Sequence, residues 1–220
     1  VVNESDNYAI EEALKISENN GDGEVVIVSM GPERVQKVIR EALAKGAHRA
    51  IHILTNSSES TDPLVTASAL ASALKEEEFD LILSGLQSDD LGFGQTGIIL
   101  GEMLNMSTAT LAMSTEINND IIRVKRELEA GYFQWVTMNL PASISVQSGC
   151  NTPRYPSLKG IMGAKKKDIA QVNFDFENAQ QAIKKIYAPS NSKETVMIEG
   201  STDQIVEKLV DVLKNEIKIA

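Results

Sequence analysis

As far as Leu104, apolar residues occur in two alternating patterns: stripes at helical spacing and short continuous runs. The first stripe, Ala9 to Leu14, follows Asp6, a residue that suits the first turn of a helix. The continuous runs are typical of strands buried on both faces of a sheet. Their alternation predicts βαβ units and a parallel sheet. The predicted strands are Glu24–Ser29, Ala50–Leu54 and Leu81–Ser84, and the helices after them begin past Pro32, at Leu64 and at Thr96.

After Asn105 the pattern changes to period-two alternation, which is typical of antiparallel hairpins with one solvated face. A buried strand is predicted over Ala142–Val146, and Gly149–Lys167 shows little periodicity. The sequence thus predicts an α/β class: a Rossmann-like parallel sheet with an antiparallel hairpin appendage and a C-terminal arm. The hairpin strands are Thr108–Glu116, Ile121–Leu128 and Tyr132–Met138, and further helices are predicted near Asn178–Ile186 and over Thr202–Lys218.

Composition excludes several classes of protein. The net charge of −10 over 220 residues repels phosphates, so we expect no nucleic-acid partner. One cysteine and two histidines are too few for a disulfide framework or for a familiar zinc or iron–sulfur site. No apolar run approaches the roughly 20 residues of a membrane span, so we expect no membrane insertion. Because no acid/base pair or nucleophile–base set stands out, we expect a protein that binds rather than catalyses.

The loop Gly85–Gly97 carries the strongest chemical signal. It follows a predicted strand and opens a predicted helix, where free N–H groups favour an anion. Its glycines allow the backbone to approach a phosphate closely. The GxGxxG match at Gly92–Gly97 lies seven residues beyond the strand, so it does not meet the dinucleotide fingerprint. The residues alone leave two interpretations open: a phosphate site, or a surface turn that only caps the helix.

Several motifs, collinear along the chain, resemble the beta (small) subunit of electron-transfer flavoproteins. The resemblance runs from Asn3 to about Lys167 and more loosely to the end. That family has a first strand ahead of the segment matching Val1, so we expect the native N-terminal strand to lie upstream. The motifs are Ile10–Ala13, Met30–Pro32, Asp80–Ser88 with Gln95–Gly97, Arg126–Gly131, Asn151–Met162 and Ala164–Lys167.

The resemblance implies a heterodimer with an alpha subunit. Such a heterodimer accepts electrons from flavin-dependent dehydrogenases and passes them through a quinone oxidoreductase to the quinone pool. It also implies a fold similar to adenine-nucleotide hydrolases, a structural AMP in this subunit, and an FAD held chiefly by the alpha subunit. The chain is then an electron-carrier subunit without catalytic residues, in the bacterial cytoplasm or the mitochondrial matrix.

The same resemblance implies which residues contact the AMP. The family more often has proline and an aromatic residue where this chain has Glu4 and Ser5, so only Asn3 and Asp6 are carried over in that segment. The implied contacts are Asn3, Asp6, Met30, Gly85, Leu86, Gln87, Ser88, Asp89, Asp90, Gly94, Gln95 and Thr96.

Two alternatives remain beside this interpretation. A minority of the family bifurcates electrons and binds a second FAD in the beta subunit; those members tend to have Asp-Gly-Asp-Thr where this chain has Asp90–Phe93, a departure that favours AMP. The other alternative is an adenine-nucleotide-hydrolysing enzyme of the same fold. A nucleotide-sensing module similar to universal stress proteins would lack the segment Tyr155–Lys167, which this chain has.

Tyr155–Lys167 resembles the family's recognition loop, in which one leucine, here Leu158, anchors into the dehydrogenase. From the residues alone, a leucine packed on its own core is the simpler interpretation. The resemblance divides the chain into a nucleotide-binding domain, 1–167, and an arm, 168–220, that contacts the alpha subunit. It puts Arg126 and Glu127 toward that subunit and its flavin, although a cross-strand charge pair explains them equally well. The implied partner-binding residues are Tyr155, Leu158, Ile161, Met162, Lys165, Lys166 and Lys167.

Overall fold

The computed structural model describes residues 1–21, 23–55, 62–175, 179–188 and 195–217. Backbone contacts divide the chain into two compact units, Val1–Ile183 and Lys184–Ala220. The strands, all in the first unit, are β1 (Val26–Gly31), β2 (Arg49–Leu54), β3 (Leu81–Gly85), β4 (Ser107–Asn118), β5 (Ile121–Glu127), β6 (Phe133–Asn139), β7 (Ala142–Val146) and β8 (Ile169–Asn173).

These strands form two sheets, and the predicted α/β class is confirmed. One sheet has the order β1-β2-β8 and is parallel throughout. The other has the order β3-β7-β4-β5-β6; its first three strands are parallel, and β4, β5 and β6 are antiparallel to one another. The predicted hairpins are therefore confirmed, and β4 joins them to the parallel part of the sheet.

Burial differs between the central and the outer strands of these sheets. In β7 every residue is buried, and most of β2 is buried, as the sequence predicted for these two strands. The prediction of full burial is wrong for β1 and β3, which are mostly half-buried because each is an edge strand of its sheet. Val28 of β1 and Ile82 of β3 nevertheless pack against one shared apolar cluster that includes Ala67 and Leu100.

The helices begin and end where the sequence provides caps. Asp62 is the N-cap of the third helix, and its carboxylate accepts a hydrogen bond from the Leu64 N–H. Gly21 ends the first helix with φ of 87°, the left-handed conformation that glycine adopts without strain. The helices are α1 (Glu4–Asn20), α2 (Gln36–Lys45), α3 (Pro63–Leu74), α4 (Thr96–Met103), α5 (Leu158–Ala164) and α6 (Thr202–Asp211).

Three elements differ from the sequence prediction. Leu158–Ala164 forms the short helix α5 within the segment expected to be irregular, and Ile169–Asn173 adds β8 to the parallel sheet. The helix predicted near Asn178–Ile186 is wrong for residues 179–186, which are not helical; Asn178 lies outside the described residues. In the second unit α6 confirms the start of the last predicted helix, and a π-helical turn, Val212–Glu216, follows it. Lys218, its predicted end, is not among the described residues.

Candidate functional site

The loop between β3 and α4 folds on itself through local hydrogen bonds. The Ser88 N–H donates to the Phe93 carbonyl at 3.0 Å, and the Gly92 N–H donates to the Ser88 carbonyl at 2.9 Å. The Ser88 hydroxyl accepts from the Phe93 N–H. Gly92 has φ of 69°, which closes the turn at low cost because glycine has no Cβ. The predicted loop is thus an ordered turn at the carboxyl end of a parallel strand.

The first turn of α1 binds this loop from about eighty residues away in sequence. The Asn3 amide donates to the Gln87 carbonyl at 3.0 Å and accepts from the Asp89 N–H at 2.8 Å. The Asp6 carboxylate accepts from the Gly85 N–H at 2.6 Å. The structure therefore brings together five of the residues implied as nucleotide contacts: Asn3, Asp6, Gly85, Gln87 and Asp89.

Ser5 is part of the same junction, although the sequence analysis set it aside. Its buried hydroxyl donates to the Gln87 carbonyl at 2.8 Å and accepts from the Asn3 amide. The Asp89 carboxylate accepts from the Glu4 N–H at 2.7 Å, as acidic groups commonly do at helix N-termini. The departure of Glu4 and Ser5 from the family pattern is therefore compatible with a well-bonded junction.

Close approach at Gly85 requires a glycine. A Cβ at Gly85 would lie 2.4 Å from the Ser5 hydroxyl oxygen and 2.6 Å from the Asp6 backbone nitrogen. Burial at this junction raises the pKa of the Asp6 carboxyl, and the nearby Asp89 carboxylate adds to the increase; the bonds from Gly85 and Asn3 oppose it. This is a polar junction in which Ser5 is buried, Asp6 and Gly85 are partly buried and Gln87 and Asp89 are exposed, at the strand end where α/β folds bind ligands.

A second polar feature lies beneath the loop. The Ser84 hydroxyl is buried, and its side chain has no hydrogen-bond partner in the described part of the chain. A Cβ at Gly97, in the first turn of α4, would lie 2.2 Å from that hydroxyl oxygen. Ser145 pairs with Ser84 in register across β3 and β7, and its buried hydroxyl is likewise unpaired within the described residues. Buried hydroxyls normally have partners, so this arrangement favours a polar ligand or water nearby.

The remaining residues implied as nucleotide contacts lie along the same loop, except Met30. Leu86 donates its N–H to the Val146 carbonyl, and the Asp90 carboxylate accepts from the Leu91 N–H. Gly94 approaches the Leu86 carbonyl, while Gln95 occupies the N-cap position of α4 without a side-chain capping bond and Thr96 is the first residue of that helix. Met30 lies near the end of β1, in the other sheet, and within the described residues no hydrogen bond joins it to the loop.

The recognition loop, Tyr155–Lys167, presents apolar side chains to solvent. The side chains of Tyr155, Leu158 and Met162 are 95%, 75% and 65% exposed, and Ile161 is also exposed. Leu158 is therefore not packed on the core, contrary to the simpler interpretation of the sequence. Exposed apolar side chains grouped in this way are typical of a protein-binding surface.

The three lysines of the recognition loop have different environments. Lys165 and Lys166 are exposed. The ammonium of Lys167 donates to the backbone carbonyls of Leu43 and Ala47 at the end of α2. Burial lowers the pKa of Lys167. Lys167 thus binds the loop to α2, whereas the other two lysines face solvent.

Arg126 binds the backbone at a β-bulge in β4. The cross-strand charge pair that was an alternative interpretation of Arg126 and Glu127 is formed by other residues of the hairpin. The Arg126 guanidinium donates to the Thr110 carbonyl and hydroxyl, both at 2.9 Å, beside Leu111, which has φ of 59°. At this bulge β4 changes its pairing from β7 to β5. Glu127 accepts from the Gln147 amide at 3.0 Å. The cross-strand ion pair of this hairpin joins Arg123 and Glu116.

Sequence reasoning missed the residues that attach the recognition loop to α1. The guanidinium of Arg154 donates to the carboxylates of both Glu11 and Glu18. The Asn151 amide donates to the Glu12 carboxylate at 2.9 Å. The available signal was on α1: Glu11 and Glu18 are seven residues apart and therefore share the face that carries Leu14.

Two general findings limit the chemistry of the described residues. They contain no group of His, Cys, Asp and Glu side chains that could hold a metal ion. Burial, with the adjacent Glu12 carboxylate, raises the pKa of the Cys150 thiol to about 12, so at neutral pH it is not a nucleophile. In the same part of the chain, no helix is long and apolar enough to cross a membrane.

The parallel sheet, the mixed sheet and this loop define an α/β protein with a candidate ligand site at a strand end, and a family model described as electron transfer flavoprotein domain matches residues 1–177. The chain belongs to that family, and specifically to its beta subunits, as the sequence motifs predicted.

Relatives from distant organisms support this assignment over nearly the whole chain. The chain is 37% identical to "Electron transfer flavoprotein subunit beta" of Methylophilus methylotrophus, with 99% of this chain and 86% of that protein covered. It is 34% identical to the subunit of the same name from Bacillus subtilis (strain 168), with 100% and 88% covered. It is 33% identical to "Electron transfer flavoprotein subunit beta, mitochondrial" of Oryza sativa subsp. japonica, with 96% and 83% covered.

Proposed function

We propose that this chain binds AMP as a structural ligand while it serves as the beta subunit of a heterodimeric electron carrier. Membership of the family implies electron transfer and pairing with an alpha subunit. The observation that carries the AMP proposal is the junction of α1 with the loop Gly85–Gly97. There, the Asn3 and Asp6 side chains bond the loop backbone at the carboxyl end of β3, and on the opposite face of β3, next to α4, the Ser84 and Ser145 hydroxyls are buried and unpaired within the described residues.

The ligand is AMP rather than a second FAD in this proposal. Asp90–Phe93 lacks the Asp-Gly-Asp-Thr pattern that the resemblance associates with a second flavin. The loop also closes tightly on itself through the Ser88 and Phe93 bonds, and its Gln87 and Asp89 backbone groups bind the first turn of α1. A compact loop of this kind suits a mononucleotide. The FAD that carries the electrons is held chiefly by the alpha subunit, on the side of Arg126 and Glu127.

Electrons arrive from flavin-dependent dehydrogenases that dock on the recognition loop. Leu158 and Tyr155 supply exposed apolar contacts, and the exposed Lys165 and Lys166 give the rim a positive charge. Apolar anchors surrounded by polar residues are the usual composition of interface hot spots. The heterodimer then delivers electrons to a quinone oxidoreductase, in the bacterial cytoplasm or the mitochondrial matrix.

Hydrolysis of an adenine nucleotide is a weaker proposal for the same loop. A hydrolase needs a general base or a nucleophile that can reach the phosphate. The Asp6 and Asp89 carboxylates instead accept backbone hydrogen bonds that hold α1 on the loop. The thiol of Cys150 has a pKa raised to about 12. Turnover of ATP by the purified chain would reverse this preference.

The decisive experiment identifies the nucleotides that copurify with the heterodimer. The chain is coexpressed with its alpha subunit, the purified complex is denatured by heat, and the released nucleotides are separated by chromatography. We expect equal amounts of AMP and FAD. Twice as much FAD as complex, with no AMP, would instead identify a bifurcating member of the family.

A loop variant connects the nucleotide to this site. A Cβ in Gly97→Ala would lie 2.2 Å from the Ser84 hydroxyl oxygen, so we expect AMP to be lost while FAD is retained. Gly163→Ala is the matched control, because a Cβ there meets nothing within 4 Å. If Gly97→Ala retained AMP fully, the nucleotide would have to bind elsewhere.

A further inference from the structure

Arg154 joins two carboxylates on one face of α1. Its Nε donates to Glu11 at 2.9 Å, its backbone N–H donates to the same carboxylate at 3.0 Å, and its terminal nitrogens reach both Glu11 and Glu18. The two glutamates lie about two helical turns apart, so a single planar guanidinium spans them. Arg154 is the residue immediately before the recognition loop.

Burial makes this attachment more than an exposed surface pair. The Glu11 side chain is 6% exposed, Arg154 is 32% exposed and Glu18 is 57% exposed. Burial by itself raises the pKa of Glu11, but the hydrogen bonds and charge of Arg154 outweigh it, and the net pKa lies below the usual value. A buried carboxylate that loses its partner is strongly destabilising, so Glu11 keeps Arg154 in place.

The other end of the recognition loop is attached to α2. A Cβ at Gly160 would lie 2.3 Å from the Ala44 carbonyl oxygen, so α5 is in close contact with α2. The Arg40 guanidinium donates to the carbonyls of Ala164 and Lys167, and Lys167 donates back to α2. Between these two attachments Tyr155 and Leu158 project into solvent.

We propose that Arg154 is a positioning residue for partner docking: with Glu11 and Glu18 it fixes the start of the recognition loop and so holds Leu158 in its docking position. This rests on the proposed function, in which Leu158 contacts the dehydrogenase. Leu158 lies four residues beyond Arg154 and two before Gly160, which stays against α2, so loss of the Arg154 attachment could displace Leu158 by up to about 7 Å. Ordering the loop before docking removes an entropic cost of association.

The test uses the complete heterodimer and a flavin dehydrogenase that the wild-type complex demonstrably oxidises. Arg154→Lys keeps a positive charge near Glu11 but lacks the planar fork that bonds both carboxylates. We expect the apparent KM for the dehydrogenase to rise about tenfold, equivalent to about 1.4 kcal/mol, with kcat and flavin content unchanged. Glu18→Gln removes one attachment without leaving a buried charge unpaired, and it should raise KM in the same direction by a smaller factor.

Arg49→Lys is the matched control. Arg49 also bonds two glutamates, Glu24 and Glu77, but it does so on the first sheet, away from the recognition loop in sequence. We expect its KM to equal that of the wild type. An equal rise in KM for Arg49→Lys and Arg154→Lys would assign the effect to general loss of stability and overturn the proposal.

A double-mutant cycle shows whether Arg154 acts through Leu158. If it does, Arg154→Lys raises KM much less in a Leu158→Ala background than in the wild type. Fully additive effects would overturn the positioning role. Backbone hydrogen exchange over residues 155–163 supplies a readout independent of the partner: exchange should accelerate in Arg154→Lys and not in Arg49→Lys.

These readouts separate the two proposals. If Leu158→Ala leaves KM unchanged, docking through Leu158 is wrong, whatever Arg154 does. If Leu158→Ala raises KM while Arg154→Lys changes neither KM nor hydrogen exchange, docking stands and the positioning role is overturned. Unchanged exchange over residues 155–163 in Arg154→Lys contradicts the positioning role in every case.

Discussion

At the scale of single residues, the pKa values of three carboxyl groups on α1 are shifted in different directions. The pKa of Glu18 is lowered by its hydrogen bond with Arg154, and that of Glu11 is lowered because the same guanidinium outweighs burial. The pKa of Asp6, nearer the start of the helix, is raised by burial. Ionised Glu11 and Glu18 therefore stabilise the folded chain above their ordinary pKa of 4.5, and this contribution is lost as the pH falls through their lower folded values.

Arg154→Gln should consequently destabilise the chain in a pH-dependent way. At pH 7 it leaves the Glu11 carboxylate buried without its partner, and we expect a loss of about 2 kcal/mol in the free energy of unfolding. Below pH 4.5 the carboxyls begin to protonate, so the difference from the wild type should shrink. Urea unfolding at several pH values measures this. Arg123→Gln, which breaks an exposed pair with Glu116, is the control and should show a small difference; a constant large loss for Arg154→Gln would contradict the linkage.

Gly85→Ala tests the junction of α1 with the nucleotide loop. The new Cβ would lie within 2.6 Å of the Asp6 backbone nitrogen, and backbone cannot yield as a flexible side chain can. We expect α1 to shift, the free energy of unfolding to fall by about 1–3 kcal/mol and the bound AMP to be reduced. Differential scanning calorimetry and nucleotide extraction measure the two effects. Wild-type stability in this variant would show that the close approach is not required.

At the scale of elements, helix α5 owes its existence to tertiary contacts more than to its sequence. It is seven residues long and contains Gly160 and Gly163, and isolated helices of this length are not stable in water. Ser157 caps it by accepting from the Gly160 N–H, and α2 supports it through Arg40 and the close contact at Ala44. The conformation of the recognition loop therefore depends on its contacts with α2, and at its start on the bonds of Arg154 to α1.

The two glycines of α5 should respond oppositely to alanine. Gly160→Ala places a Cβ 2.3 Å from the Ala44 carbonyl oxygen, which should separate α5 from α2 and cost about 1–3 kcal/mol. Gly163→Ala meets nothing within 4 Å and should stabilise the helix by up to about 1 kcal/mol. Hydrogen exchange over residues 158–164 and urea unfolding measure both. Equal changes in the two variants would mean that α5 does not depend on this contact.

Whether an element depends on its own sequence or on tertiary contacts decides whether it could be predicted from the sequence. β2 and β7 are interior strands made mostly of small and apolar residues, which suits burial on both faces, so their sequences sufficed. α5 and β8 could not be predicted, because their stability comes from α2 and from pairing with β2, contacts that local periodicity does not encode. In the site, the loop Gly85–Gly97 was predictable from strand, glycines and helix start. The Arg154–Glu11 pair was not, since its members are 143 residues apart.

At the scale of the whole molecule, the chain divides along its sequence into two compact units, Val1–Ile183 and Lys184–Ala220. Residues 181–188 are exposed and not helical, and α6 in the second unit has a complete capping box formed by Ser201 and Gln204. The exposed apolar residues of α6, Val206, Leu209 and Val210, form one side of an amphipathic helix. In the proposed heterodimer this unit is the larger part of the predicted arm, 168–220, that contacts the alpha subunit.

Limited trypsin digestion tests this division. Lys184 and Lys185 lie in the exposed stretch, so we expect early cleavage there and a persistent fragment of the first unit. Lys125, within β5, should be protected by its strand pairing. In the complex with the alpha subunit, cleavage at Lys184 and Lys185 should slow. Early cleavage inside residues 1–183 would contradict the compactness of the first unit, and equal cleavage with and without the alpha subunit would contradict the arm's role.

The chemistry of Cys150 makes the recognition loop accessible to fluorescence. It is the single cysteine of the chain, and because burial raises the pKa of its thiol to about 12, it carries very little thiolate at pH 7. A cysteine placed at Tyr155, which is 95% exposed, would therefore react with a maleimide dye far faster than the native one. On the purified chain, such a dye would report the surroundings of the recognition loop, with the wild-type thiol left unlabelled as an internal blank.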